Sequence, residues 1–412
     1  MPRHTLLASA VLLAMTFQAH AWTIDSDFWF YADQVLTGSQ SASEPIDSTL
    51  FPLANSEAGH MANLRVSATV GHDLVGNEVH LNNSMLTVNR PLDSEMGVGR
   101  LSAVQASGSS DIGTLYLSDN TLRLSGALGE DSDTYEIATA LIADQTNVDS
   151  LRASGNLLEV NSANLAYTRQ GSSIPDIGSV LREKYSTGVI KELSADHNAV
   201  RITNSELSVN IFAVSAQVTE SAQTIGNSIA IQDSAFVGDR SFDVAAVSML
   251  GSDTGSLASQ QSSVVISNVT LDGQSSYSIA ADELQSAISV SSSDAGVILD
   301  NFQTDANATG HIYASRVQGR HNAEALNGRL DIRHSSVTGT LRGSLVSLSS
   351  LNSDLTFGSV VAHNNTLAIS DSTLGENLSE DSATAYGVEA TSGTPASFEL
   401  HSNRVSISDS TI

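Results

Sequence analysis

Apolar and polar positions alternate along this chain in a block that keeps returning, apolar–x–apolar–x–[Asn/Asp/Ser/His]–x–x–apolar. It reads VHLNNSML at 79–86, LYLSDNTL at 115–122, LEVNSANL at 158–165, VRITNSEL at 200–207 and IAIQDSAF at 229–236. It goes on as VVISNVTL at 264–271, VILDNFQT at 297–304, LDIRHSSV at 330–337, LAISDSTL at 367–374 and VSISDSTI at 405–412. The eighth position is apolar in every copy but Thr304. Positions one and three have the period of a strand with one buried face. Position five is Asn83, Asp119, Ser162, Asn204, Asp233, Asn268, Asn301, His334, Asp371 or Asp409. Most of these are Asn or Asp, which tolerate left-handed backbone and hydrogen-bond their own turn, so a bend belongs there.

Position eight then opens a second short strand, and a third apolar patch often follows, as at 104–106, 244–247, 279–281 and 386–390. Three short strands per repeat, joined by bends, make one coil of a parallel β-helix, each unit burying its face on its neighbours. Val79, Leu115, Leu158, Val200, Ile229, Val264, Val297, Leu330, Leu367 and Val405 are expected in one buried stack. Turn signals precede many copies: Gly76-Asn77, Gly155-Asn156, Gly226-Asn227, Asn327-Gly328 and Asn364-Asn365. Ten coils about 4.8 Å apart would form a rod roughly 45–50 Å long. The fold class expected is therefore all-β, a right-handed parallel β-helix with an N-terminal cap. A propeller would need four antiparallel strands per blade, and leucine-rich repeats a Leu-x-x-Leu-x-Leu pattern that is missing.

The domain reading has three parts. Residues 1–21 read as a signal peptide: Arg3, an apolar run at 6–17 and Ala19-His20-Ala21 before the cleavage point, so the mature chain would begin at Trp22. Residues 22–75, with Phe28, Trp29, Phe30 and Tyr31, read as the cap that a solenoid end requires. Residues 76–412 read as the repeat domain. Within it, 168–196 is the largest excursion; it carries both lysines, Lys184 and Lys191, and its residues 177–185 read as a short helix. It and 126–135 are the expected surface loops.

Composition narrows the partners. The net charge of -27 disfavours nucleic acid and anionic lipid. Cysteine is absent, so an exported chain of this kind is held by packing and not by disulfides. No run of about 18 apolar residues marks a membrane-spanning helix.

Candidate chemistry is sparse. Asp253-Thr254-Gly255-Ser256 matches half of an aspartic protease site, but the nearest second copy, Asp294-Ala295-Gly296, lacks the Thr. His60, His72 and His80 have no metal-ligand spacing. No serine-hydrolase elbow is present. The sequon Asn268-Val269-Thr270 follows from an Asn- and Thr-rich composition. No catalytic, cofactor-binding or metal-binding residue is assigned, and no cofactor is expected.

The leader, the absence of cysteine, the acidic Ser/Asn/Gly/Ala-rich composition and the strand–bend repeats together resemble a bacterial autotransporter passenger domain, over roughly 76–412. The resemblance implies a right-handed β-helix carried to the cell surface by a C-terminal outer-membrane β-barrel, which would have to follow Ile412. It also implies a non-enzymatic stalk or adhesin whose partner is a host or cell-surface ligand. The alternative is a carbohydrate-active β-helix enzyme, a polysaccharide lyase or hydrolase. Its mark would be carboxylates with Arg or Lys on one face across adjacent coils, whereas a stalk would show only turn ladders.

Overall fold

The computed structural model describes residues 20–24, 33–35, 46–47, 60–68, 74–88, 100–108, 111–125, 136–165, 174–183, 186–238, 241–273, 276–305, 307–348, 357–375, 383–390 and 395–411. Every regular element among them is a β-strand, and the paired strands run parallel. The chain is a parallel β-solenoid, making about seven turns between Gly155 and Ser402. At about 4.8 Å per turn this part rises roughly 34 Å.

A coil has three faces, and those from Gly155 onward have two left-handed corners each among the described residues. The first corner holds Asn83, Asp119, Gly155, His197, Gly226, Gln261, Asp294, Asn327, Asn364 and Ser402, all at positive φ. Face one follows, in strands such as Leu157–Asn161, Ala199–Thr203, Arg329–Arg333 and Thr366–Ser370. The second corner holds Ser162, Asn204, Asp233, Asn268, Asn301, His334, Asp371 and Asp409, again at positive φ. Face two follows in Arg100–Gly108, Glu136–Ile142, Asp176–Arg182, Phe242–Leu250 and Thr340–Leu348. Face three closes the coil in Asp111–Ser118, Asn147–Ser154, Ile190–Asp196 and Ser256–Gln260. In Asn210–Ile225, Ser276–Ser293 and Thr309–Leu326 faces two and three are one continuous strand.

All ten residues at position five of the repeat are left-handed, as their chemistry predicts. They do not share one corner. Asn83 and Asp119 sit at the first corner and the other eight at the second. Leu115 accordingly pairs with Val79 and Leu151 on face three. Leu158 pairs with Leu122 and Val200 on face one. The expected single stack is thus two stacks: face one runs Leu158, Val200, Ile229, Val264, Val297, Leu330, Leu367, Val405. The cause is local: both corners ask the same thing of the backbone, so both draw apolar–x–apolar flanks and an Asn, Asp or Ser. Val405 is 42% exposed, because no described coil covers the last one.

The interior divides in two. Face one and the first half of face two enclose Leu158, Val200, Ile202, Ile231, Ile266 and Leu299. Face three and the second half of face two enclose Leu115, Leu151, Val180, Val214, Val247 and Val317. The boundary is a bend in face two where two successive residues point inward, such as Ala213 and Val214 or Ala246 and Val247. Phe236, Phe242 and Tyr277 stack through the first core, with centroids 4.3 and 6.0 Å apart in turn, and Phe302 meets Tyr277 edge-on at 6.3 Å. Gly310 makes room for this stack: a Cβ there would lie 2.2 Å from the Tyr277 ring.

The stretch 168–196 is not a loop excursion in its described part. Its described residues include two strands of the stack, Asp176–Arg182 and Ile190–Asp196. Ile177, Val180, Leu181, Ile190 and Leu193 are buried, so the stretch at 177–185 is strand in its described part and not helix. A strand on the inner layer of a coil is apolar at neighbouring positions, a pattern that periodicity alone does not separate from a helix. Residues 1–19 of the expected leader and the loop at 126–135 lie outside the described residues. Of the expected cap at 22–75, backbone strands are described: His20–Ile24 pairs with Ser84–Val88, Asp33–Val35 with His60–Ala68, and His60–Ala68 with Arg100–Gly108. Gly76-Asn77 lies within the strand Leu74–His80, at a break in register, and is the one turn signal that misses a corner. The third apolar patches all fall on face two.

Candidate functional site

The polar groups that sequence reading marks are mostly consumed by the fold. After the first corner comes a buried amide ladder: Asn120 Nδ2 donates to Asn156 Oδ1 (2.9 Å), Asn156 to Asn198 (2.8 Å) and Asn198 to Asn227 (3.0 Å). Each Nδ2 also donates to a backbone carbonyl of the preceding coil, as Asn156 does to Leu117 at 2.8 Å. The same amide oxygen accepts a backbone N–H from the coil below, so a completely buried side chain meets its hydrogen-bonding demand. After the second corner serine takes over: Ser335 N donates to Ser372 Oγ at 3.1 Å, and Ser372 Oγ donates to the Ser370 carbonyl at 2.7 Å. The corner residues themselves form exposed ladders, Asn268 Nδ2 to Asp233 Oδ1 (2.9 Å) and Asn301 Nδ2 to Asn268 Oδ1 (3.1 Å).

The protease-like pieces do not assemble. Asp253 is an exposed carboxylate paired with Arg320. Asp294 is a first-corner residue that accepts from Asn327 Nδ2 at 2.9 Å. Of the three loosely clustered histidines, His72 and the side chains of His60 and His80 lie outside the described residues. His334 meets Asp300 at the second corner, 2.9 Å from Nδ1 to Oδ1. The described residues contain no group of three or more His, Cys, Asp or Glu that could hold a metal ion as placed. Lys191 ion-pairs with Asp149 at 2.6 Å, and that hydrogen bond raises its pKa. Lys184 lies outside the described residues.

Two clusters were not legible in the sequence. One is buried. Asp282 stands on face two at a position that is Val247 one coil earlier, and it is fully buried. Ser259 Oγ donates to its Oδ1 (2.8 Å) and Ser292 Oγ to its Oδ2 (2.6 Å); Ser262 Oγ lies 2.9 Å from Ser259 Oγ. Burial pushes the carboxyl pKa up, against the pull of these three hydroxyls. The first-corner ladder has Ser262 and then Ala295 where earlier coils have Asn198 and Asn227, so the amide ladder is interrupted where the carboxyl sits.

The other cluster lies on the outer surface of face two. The bend that separates the two cores brings together the outward rows on either side of it. Ala138, Leu141, Leu181, Phe212 and Ala245 form a buried cluster on this outer side, and Ala280, Tyr313 and Leu345 form another. These outward residues are buried at 8% exposure or less. Beside them runs a polar row, Ser215, Ser248, Glu283, Arg316, on successive coils. On the far side of that row, away from the apolar clusters, lies a depression of about 270 Å³ lined by Arg182, Glu183, Ser215, Gln217, Ser248, Leu250, Glu283 and Gln285 among others. Arg316 Nη1 lies 2.8 Å from Glu283 Oε1. Burial raises the Glu283 pKa and the negative charge of Asp243 adds to that, while Arg316 opposes both. At the start of the same face Arg100 is buried among carboxylates, 2.9 Å from Asp144 and 3.5 Å from Glu136, and paired with Glu183.

These features define the class: a parallel β-solenoid with a depression on one outer face. Comparison of the chain with protein-family models, with curated proteins and with solved structures finds no match.

Proposed function

We propose that this chain is a non-enzymatic rod of the autotransporter-passenger type, exported and displayed at the cell surface, whose work is recognition. The observation that carries the reading is the assignment of polar groups to the stack. Corner Asn, Asp and Ser residues bond to their counterparts above and below, which leaves them structural. A rod so built is stiff, because each coil is bonded to the next at both corners and along three faces. The leader-like first 21 residues and the net charge of -27 support an exported, soluble surface.

The carbohydrate-active enzyme is kept as a second reading because one observation favours it. Glu283 is a partly buried carboxyl held toward its protonated form near a second carboxylate, Asp243, with Arg316 on the next coil. An acid and a base on one face is what glycosidic chemistry requires. Against it, the 2.8 Å contact with Arg316 already engages Glu283. Incubating the purified chain with polygalacturonate, xylan and chitin and following product chromatography decides between them. No turnover is expected. Turnover lost in Glu283→Gln would replace the rod reading with the enzyme.

A further inference from the structure

We infer that the imidazoles of His363 and His401 chelate one divalent transition-metal ion on the outer surface of face three. His363 ends the strand Phe357–His363, His401 ends Pro395–His401, and the two are partners in the parallel register. Val360 and Ala362 point into the second core, so His363 points outward. Neighbouring coils thus set two imidazoles side by side, with ring centroids 4.9 Å apart and planes at 66°. The spacing suits a shared ion. Bonds of about 2.0–2.1 Å to one nitrogen of each ring place a metal about 3.2 Å from both centroids. With the ligand angle between a right angle and the tetrahedral value, the centroids then stand about 4.5–5.2 Å apart. The observed distance falls inside that range.

A second observation points to a ligand. His363 Nε2 is shielded from solvent and has no hydrogen-bond partner among the described residues. Glu399 Oε2 is 3.9 Å from it, too far for a hydrogen bond and within the span that an interposed ion or water bridges. Glu399 and His401, two apart on one strand, share its outer side, and both side chains are exposed. The two rings are fewer than the three ligands of a preformed protein site. Water and, after rotation of its side chain, Glu399 complete the shell. This donor set selects the ion: imidazole suits Zn2+, Ni2+ and Cu2+, whereas Ca2+ and Mg2+ require oxygen ligands. The net charge of -27 favours a cation here. A bound ion would tie one coil to the next, so it should stabilise the folded stack as its concentration rises.

The test uses the full chain, stripped with EDTA and dialysed at pH 7.5. Titration calorimetry with ZnCl2 should show a saturable site, and the melting temperature should rise with ZnCl2 and not with MgCl2. His401→Gln, a change at an exposed position, should keep the metal-free melting temperature and lose both the site and the rise. His363→Gln should lose them too, and Glu399→Gln should lower the affinity without removing the site. His334→Gln, at the second corner, should bind as the parent does. If His363→Gln loses its metal-free melting transition, His401→Gln decides alone. Electron paramagnetic resonance of the Cu2+ form should show coupling to two nitrogens in the parent and not in His401→Gln. Absence of saturable Zn2+ binding overturns the inference, as does a site that survives His401→Gln or an equal rise in MgCl2.

Discussion

Asp282 shows what one residue can do to a repeating core. The equivalent position is Val214 and Val247 in the two preceding coils and Ser315 in the next. A fully buried carboxyl surrounded by serine hydroxyls is best kept protonated, since the ionised form is expensive to desolvate. The linkage has a definite sign. The folded-state pKa is raised, so the folded chain holds a proton that the unfolded chain releases above the ordinary carboxylate range. The stabilisation is complete below the unfolded pKa and is lost as pH rises toward the folded one. Asp282→Asn, which stays neutral, should therefore melt higher than the parent at pH 7. The gap should narrow as pH falls toward 4. A gap of constant size across this range would show that ionisation of Asp282 is not what costs stability.

At the scale of elements, each strand is held by two neighbours, so removing a coil's strand opens both. The segment at 174–196 makes this testable, because its sequence has the look of an insertion while its described strands are two faces of one coil of the stack. Asp176–Arg182 lies between Glu136–Ile142 and Asn210–Ile225. Ile190–Asp196 lies between Asn147–Ser154 and the second half of Asn210–Ile225. Burying each of Ile177, Val180, Leu181, Ile190 and Leu193 is worth about 1.5–3 kcal/mol. Deletion of 174–196 should then give a chain without a cooperative melt by circular dichroism. A deletion variant that melts near the parental temperature would mean that this segment is dispensable to the stack after all.

The molecule as a whole is a rod with a large excess of acid, and its charges repel one another along its length. Ladders of corner residues include Asp119, Asp233, Asp294, Asp371 and Asp409, so part of that repulsion is built into the repeat. Screening should relieve it: at about 0.15 M salt the Debye length is about 8 Å, comparable to the spacing of two coils. The melting temperature should rise on going from low salt to this concentration, and by the same amount in sodium and potassium chloride. A flat response would indicate that the ladders and ion pairs such as Arg123–Glu159, 2.8 Å apart, already offset the excess.

The amino-acid pattern by itself determined the architecture. A strand period, a residue tolerant of left-handed backbone and another apolar position, repeated along the chain, have few solutions other than stacked parallel coils. The left-handed conformation at all ten marked positions follows from that local chemistry. The tertiary structure alone decided which corner each copy occupies, since both corners impose the same backbone demand and only register against the neighbouring coil separates Asn83 from Ser162. It also decided that 174–196 belongs inside the stack, because burial comes from coils distant in sequence. The outer row of face two was illegible for the same reason. Ser215, Ser248, Glu283 and Arg316 are each an unremarkable polar residue in a strand, roughly 33 to 35 residues from the next. Only the winding of the chain places them in one row, and only the bend between the two cores sets that row beside buried outward residues.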